Sequence, residues 1–199
     1  MKSSLIDNAR SFSTQVAERP EEFRELAAGQ QPEALFITCS DSRVIPSLIT
    51  GARPGELFEL RTAGNIVPRY DANRPSGEAA TIEYALRVLE VRDLVVCGHS
   101  HCGAVGALVR DEDLSGVPAV RDWLGQGVSA LPSDQGLAHA VRHHAASQLR
   151  TLHGYPAVRE RMAEGKLALH AWYYEVDTGA ISVHRPGSTG RLGGEFRPL

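Results

Sequence analysis

Leu94-Val95-Val96-Cys97-Gly98-His99-Ser100-His101-Cys102-Gly103 holds the key to the fold. Its first four residues form an apolar run too short for a helix and end at a glycine, as a strand buried on both faces of a parallel sheet does. Ala34-Leu35-Phe36-Ile37-Thr38 repeats the pattern and leads directly into Cys39-Ser40-Asp41-Ser42-Arg43. Leu57 to Arg61 reads as another strand. Between the strands, Pro75-Ser76-Gly77-Glu78 opens a periodic stretch through Leu89 (Ala80, Tyr84, Ala85, Val88), a helix with Ser76 as its N-cap. The rhythm is β-α-β.

Outward from this centre, residues 4 to 28 carry spaced apolar positions (Leu5, Phe12, Val16, Phe23, Leu26) among charges, and Pro20 divides them into a two-part helical arm. Gly103 to Arg110 reads as a short helix and Asp111 to Pro118 as an exposed loop; two helices are expected over 134–152 and 156–164. Leu167 to Val176 and Ile181 to His184 flank Asp177-Thr178-Gly179, the signature of a terminal hairpin. The Gly-rich tail from Pro186 reads as a loosely ordered or docking segment. The expectation is one α/β domain over 1–199: a helical arm (1–30), a core (31–185) and a tail (186–199). Its sheet is mostly parallel and four-stranded, with a fifth, edge strand from the hairpin and helices on its flanks.

A chain of 199 residues suits one domain with a sizeable core. A formal charge of -3 and a pI near 6.2 provide no basic field for nucleic acid or an anionic membrane. No apolar run approaches a membrane span, and Asp7 and Arg10 interrupt the N-terminal apolar residues, which argues against a signal peptide and for the cytoplasm. Three cysteines are too few, and odd in number, for a disulfide scaffold, leaving core thiols, metal ligands or a nucleophile.

In open parallel sheets ligands gather beyond the carboxyl ends of the strands, where the winding direction switches. Cys39 and the pair His99 and Cys102 stand at two such ends, and two thiolates with an imidazole make a zinc set whose fourth position is open to water or a weaker ligand. Asp41 is the candidate for that exchange. Two thiolates already cancel the zinc charge, so a bound carboxylate would close the site; Arg43, two residues on, offers a planar fork to hold Asp41 off and leave the metal free to acidify water. A helix starting near Cys102 adds N–H groups that favour its thiolate. Cys97, inside its apolar run, reads as a core thiol. His139 and His143 have metal spacing, i and i+4, without a companion ligand, and read as a helix face. His101 reads either as a proton relay or as an exposed side chain.

Cys39-Ser40-Asp41-Ser42-Arg43 followed by Gly98-His99-Ser100-His101-Cys102-Gly103 resembles the β-class carbonic anhydrases. The likeness extends through Pro54 to Phe58, Arg61 to Asn65, Ser76 to Tyr84 and Leu169 to Tyr174, nearly the whole domain. It implies one zinc per chain on Cys39, His99 and Cys102, with Asp41 joining only in a closed state, and the Asp41–Arg43 pair as catalytic dyad. It implies a CO2/bicarbonate pocket of Gln30, Phe58, Tyr84 and Gly103, often across a dimer interface. It further implies an arm that clasps a second subunit, in a homodimer or a dimer of dimers. The implied reaction is reversible hydration of CO2 by zinc-bound hydroxide, with activity rising through roughly pH 7 to 8.5. In members with a regulatory bicarbonate site a Trp lies three residues before the first cysteine and a Gly one before it; Phe36 and Thr38 stand there in this chain, and Thr62 replaces the commoner Asn. Two alternatives stay open: a hydrolase of carbon disulfide or carbonyl sulfide on the same ligands, and a non-catalytic zinc module with Asp41 permanently on the metal.

Overall fold

The computed structural model describes residues 4–127, 132, 135–186 and 194–199. The arm consists of α1 (Ser4–Ala17) and α2 (Pro20–Ala27). Pro20 sits in the first turn of α2, where no N–H is missed. Neither helix has a buried residue; Phe12 and Phe23 meet edge to face at 5.8 Å, while Leu5 and Ile6 stay 75% and 61% exposed. Among the described residues the arm therefore exposes apolar side chains, Ile6 and Phe12 among them.

The core runs β1 (Ala34–Cys39), α3 (Pro46–Thr50), β2 (Leu57–Thr62), a 3-10 turn (Ala63–Asn65), α4 (Gly77–Arg87) and β3 (Asp93–His99). It continues with α5 (Gly103–Val109), α6 (Pro118–Gly127), α7 (Gly136–Leu152), α8 (Pro156–Ala163), β4 (Ala168–Tyr174), β5 (Ile181–Arg185) and β6 (Glu195–Pro198). Ser76 caps α4 by accepting from the Ala79 N–H at 3.2 Å. The strand order is β2-β1-β3-β4-β5-β6; the first four are parallel and the last two antiparallel.

Two expectations need correction. The end of the tail is a strand: Glu195–Pro198 forms β6, pairing Ser182 with Pro198 and Arg185 with Glu195, so among the described residues the sheet has six strands and β5 is not its edge; residues 187–193 lie outside the described set. Phe196, the strand's one large apolar residue, sets its ring at a tilt against that of His184, centroids 5.4 Å apart, and Pro198 is tolerated because the strand is outermost. The helix expected from residue 134 begins at Gly136; residues 133 and 134 lie outside the described set. Helices α3 and α6 are additions to the expected elements, both opening on a proline.

Leu35, Ile37, Leu94 and Val96 form one core face with Ile82 and Leu86 of α4, Ala145 and Leu152 of α7, and Val158 of α8, all buried. On the other face Phe36 meets Trp172 edge-on at 5.8 Å beside Val95 and Cys97. Gly98 lets α7 lie against β3: a Cβ there would stand 2.8 Å from Val141 Cγ1. From β1 the chain steps to β2 on one side and then crosses to β3 on the other. The carboxyl ends of β1 and β3, adjacent at this switch point, carry Cys39 and His99.

Candidate metal centre

The ligand atoms of Cys39, His99 and Cys102 lie within 4.8 Å of one another, the only such group of three among the described residues. All three residues are buried. His99 Nδ1 stands 2.8 Å from the Ser100 carbonyl oxygen, an acceptor, so it carries the proton; the Nε2 lone pair is left free, and that atom is buried with no partner. A buried nitrogen without a hydrogen bond is costly unless something else binds it, and two facing sulfurs make a cation that something. The soft thiol and imidazole donors fit zinc. Cys39 is lowered to about 4, first because the Cys102 S–H donates to it, against the opposing effect of burial; the same bond and burial push Cys102 up.

Asp41 stands beside this group without belonging to it, its Oδ2 3.9 Å from His99 Nε2. Arg43 grips it in a fork: Nε donates to Oδ1 at 2.9 Å, Nη2 to Oδ2 at 2.7 Å, and the Arg43 backbone N–H to Oδ1 at 3.0 Å. The guanidinium bonds, above all, hold the Asp41 carboxyl well below the usual carboxylate range. Arg43 Nη2 also donates to the His101 carbonyl at 3.2 Å, tying the loop after β1 to the loop after β3. Arg61 ties down the same β1 loop, Nη2 donating at 2.8 Å to both the Cys39 and Asp41 carbonyl oxygens.

Gly103 opens α5 directly after Cys102, with open space where a side chain would project. Gln30, Phe58 and Tyr84 do not reach the cluster in their own chain. Phe58 pairs with Leu35, four residues before the Cys39–Thr62 pair, which is roughly 13 Å down the strand. Its ring lies 5.9 Å from that of Tyr84, which is 45% exposed. Gln30 is exposed in a cleft with Leu26, Pro54 and Gly55. Cys97 is fully buried, and burial pushes its thiol up to about 12, as suits a core residue. His139 and His143 are half-buried on α7 and outside the ligand group; His101 is exposed, 3.6 Å from Asp177. Phe36 and Thr38 are both engaged in the core, Thr38 Oγ1 donating to the Cys97 carbonyl at 2.9 Å, and Thr62 Oγ1 closes the 3-10 turn on the Ile66 carbonyl at 3.0 Å. Sequence reading gave no role to four residues around that turn: Arg61, Gly64, whose N–H lies 3.3 Å from Cys39 Sγ, and His144 and Gln148 behind it. The signal for the last two was the inward stripe of α7, Ala140, Val141, His144, Ala145 and Gln148.

Fold and site together define an α/β protein with a Cys2His metal-binding centre at the switch point of its sheet. The family model for carbonic anhydrase matches residues 34–181. A carbonic anhydrase of Pseudomonas aeruginosa is 45% identical over 174 residues, covering 83% of this chain and 79% of that protein. Carbonic anhydrase 1 of Escherichia coli O157:H7 is 40% identical over 90% of this chain and 86% of its own. Among solved structures, the β-carbonic anhydrase CcaA superimposes with a TM-score of 0.86 at 36% identity, over 98% of this chain and 90% of that one. A tetrameric β-carbonic anhydrase of Sordaria macrospora gives 0.75 at 30% identity, over 90% and 94%. The chain belongs to the β-class carbonic anhydrases, enzymes of reversible carbon dioxide hydration.

Proposed function

We propose that one zinc ion per chain is held by Cys39 Sγ, His99 Nε2 and Cys102 Sγ, and that this chain uses it to interconvert carbon dioxide and water with bicarbonate and a proton. The unpartnered, buried Nε2 of His99 facing two sulfurs is the observation that carries the reading. Zinc held there would supply a Lewis acid able to acidify water. The residues of the chain do the rest. Two thiolates and a neutral imidazole leave the loaded site without net charge, so a neutral substrate meets no ionic barrier. Arg43 keeps the Asp41 carboxylate ionised and turned aside, where it accepts a proton or orients the attacking oxygen. A closed state, in which Asp41 exchanged Arg43 for the metal, would shut the enzyme off. Gly103, with open space where a side chain would project, would leave room for the anion beside Cys102.

The pocket's apolar wall comes from a second copy, in a homodimer or a dimer of dimers. Support comes from Gln30, Phe58 and Tyr84 lying far from their own cluster and from the exposed Ile6 and Phe12 of the arm. Three free cysteines fit a reducing compartment, the cytoplasm.

Zinc analysis and stopped-flow CO2 hydration on one preparation test the reading. We expect one zinc per chain and activity rising with pH; Arg43→Ala should keep its zinc and lose about 10–100-fold in activity. Folded wild type without zinc, or full activity in Arg43→Ala, overturns it.

A further inference from the structure

Behind the metal centre lies a hydrogen-bond chain that the reaction as described does not use. Gly64 sits in the 3-10 turn with φ of 72°, a conformation that glycine takes without strain, and its N–H points at Cys39 Sγ, 3.3 Å away. That N–H belongs to the Ala63–Gly64 peptide, whose carbonyl end accepts the indole N–H of Trp123 on α6 at 2.9 Å. The next peptide is held as well: His144 Nε2 stands 2.7 Å from the Gly64 carbonyl oxygen.

The ring's tautomer follows from groups that cannot change roles. The Val67 backbone N–H can only donate, and it donates to Gln148 Oε1 at 2.9 Å. The Gln148 amide nitrogen therefore faces the other way, donating to the Gly127 carbonyl at 3.0 Å and toward His144 Nδ1 at 3.4 Å. Nδ1 is then the acceptor, so Nε2 carries the hydrogen and donates it to Gly64. His144 and Gln148 are both essentially inaccessible to water.

We infer that Trp123 and His144 are positioning residues for the metal centre, clamping the peptides on either side of Gly64 so that its N–H stays bonded to Cys39 Sγ. The inference rests on Cys39 being a metal ligand. A thiolate that accepts an N–H bond gives less charge to its metal, and the Trp123 bond at the opposite end of the same peptide polarises that N–H further. The clamp thus fixes the sulfur's position and lowers its basicity, keeping a bound cation the stronger Lewis acid.

Four proteins test this: wild type, Trp123→Phe, His144→Leu and His144→Gln, whose amide nitrogen can still reach the Gly64 carbonyl. Zinc affinity is measured by competition with a chelator, and the sulfur-to-metal charge-transfer band is read after loading cobalt(II). We expect Trp123→Phe and His144→Leu to bind zinc about 10–100-fold more weakly, the lost positioning of Cys39 outweighing the sulfur's greater basicity, with the band moved to lower energy, and His144→Gln to return toward wild type in both. Nitrogen-15 spectra of the ring should show the Nε2–H tautomer. Folded Trp123→Phe and His144→Leu with wild-type affinity and band overturn the clamp, as does an Nδ1–H tautomer. If His144→Leu fails to fold, Trp123→Phe decides alone. Wild type that binds neither metal instead overturns the reading of the centre itself.

Discussion

Adding a single methyl group at Gly98 should loosen the seam between β3 and α7 that supports the metal centre. The new Cβ would stand 2.8 Å from Val141 Cγ1 and 3.4 Å from both Ala145 Cβ and the Val141 carbonyl oxygen. Val141 is fully buried against Cys39, Cys102, Val105 and Tyr173, so it has no room to retreat. Overpacking of this kind costs about 1–3 kcal/mol. For a chain of this length each kcal/mol lowers the melting temperature by about 2–4 °C, which puts the loss for Gly98→Ala at roughly 2–12 °C. Val141→Ala alone removes two buried methyl groups and should cost about 1.5–3 kcal/mol. In the double variant the methyl group introduced on β3 occupies part of the space vacated on α7. The combined loss should therefore fall short of the sum by about 1 kcal/mol or more, a coupling that a double-mutant cycle in urea can resolve. Because His99 follows directly, Gly98→Ala should also bind zinc more weakly, and Val141→Ala should restore part of that. A Gly98→Ala protein within about 0.5 kcal/mol of wild type, or strictly additive losses, would refute the packing argument.

Acid should destabilise the fold before its carboxylates titrate. Burial lowers His144 below its ordinary value, so between its folded pKa and about 6.5 the unfolded chain binds the extra proton. Its contribution is complete above about 6.5 and is lost as pH falls; His143 and His184, lowered first by burial too, add to the effect. Urea unfolding of metal-free protein at pH 7.5 and 5.5 should show the loss, and His144→Gln should show a smaller one; equal losses in the two proteins would count against it. The cysteines should separate cleanly: Cys102→Ser brings zinc well below one per chain by atomic absorption, whereas Cys97→Ala keeps it, since Cys97 lies outside the ligand group. Zinc loss in Cys97→Ala would place that thiol in the centre after all.

Much of this protein is legible because its elements announce themselves locally. Five of the six residues of β1 and six of the seven of β3 are buried, so each prints an unbroken apolar run, and both runs end in chemistry-bearing residues. Asp41 and Arg43 are two residues apart and need no tertiary structure to meet. Glu195–Pro198 offers no such signal: its single large apolar residue becomes a strand only because β5 provides the register. On α7 the i, i+4 pair His139 and His143 attracts attention, yet the histidine that matters is the next one. His144 shares the inward stripe with Val141, Ala145 and Gln148, and its partner Gly64 is 80 residues away, a separation that only the packing of α7 on β3 closes.

The same contrast between local and long-range information explains why the ligand set and the pocket residues differ in legibility. Cys39 and His99 are brought together by strand order, which a β-α-β pattern implies: two neighbouring parallel strands of similar length must end side by side. Phe58 is on the strand next to Cys39 and still lies about four residues from its level, because the parallel register of β1 and β2 sets the offset. No rearrangement that preserves this register can bring Phe58 to the centre of its own chain. A pocket that uses both, as proposed, has to be built from two chains, and the exposed residues Ile6 and Phe12 on the arm then have a reason to be apolar. On that reading dimer formation and completion of the substrate pocket are one event, and a monomer that retained its zinc would still lack the wall against which carbon dioxide is held.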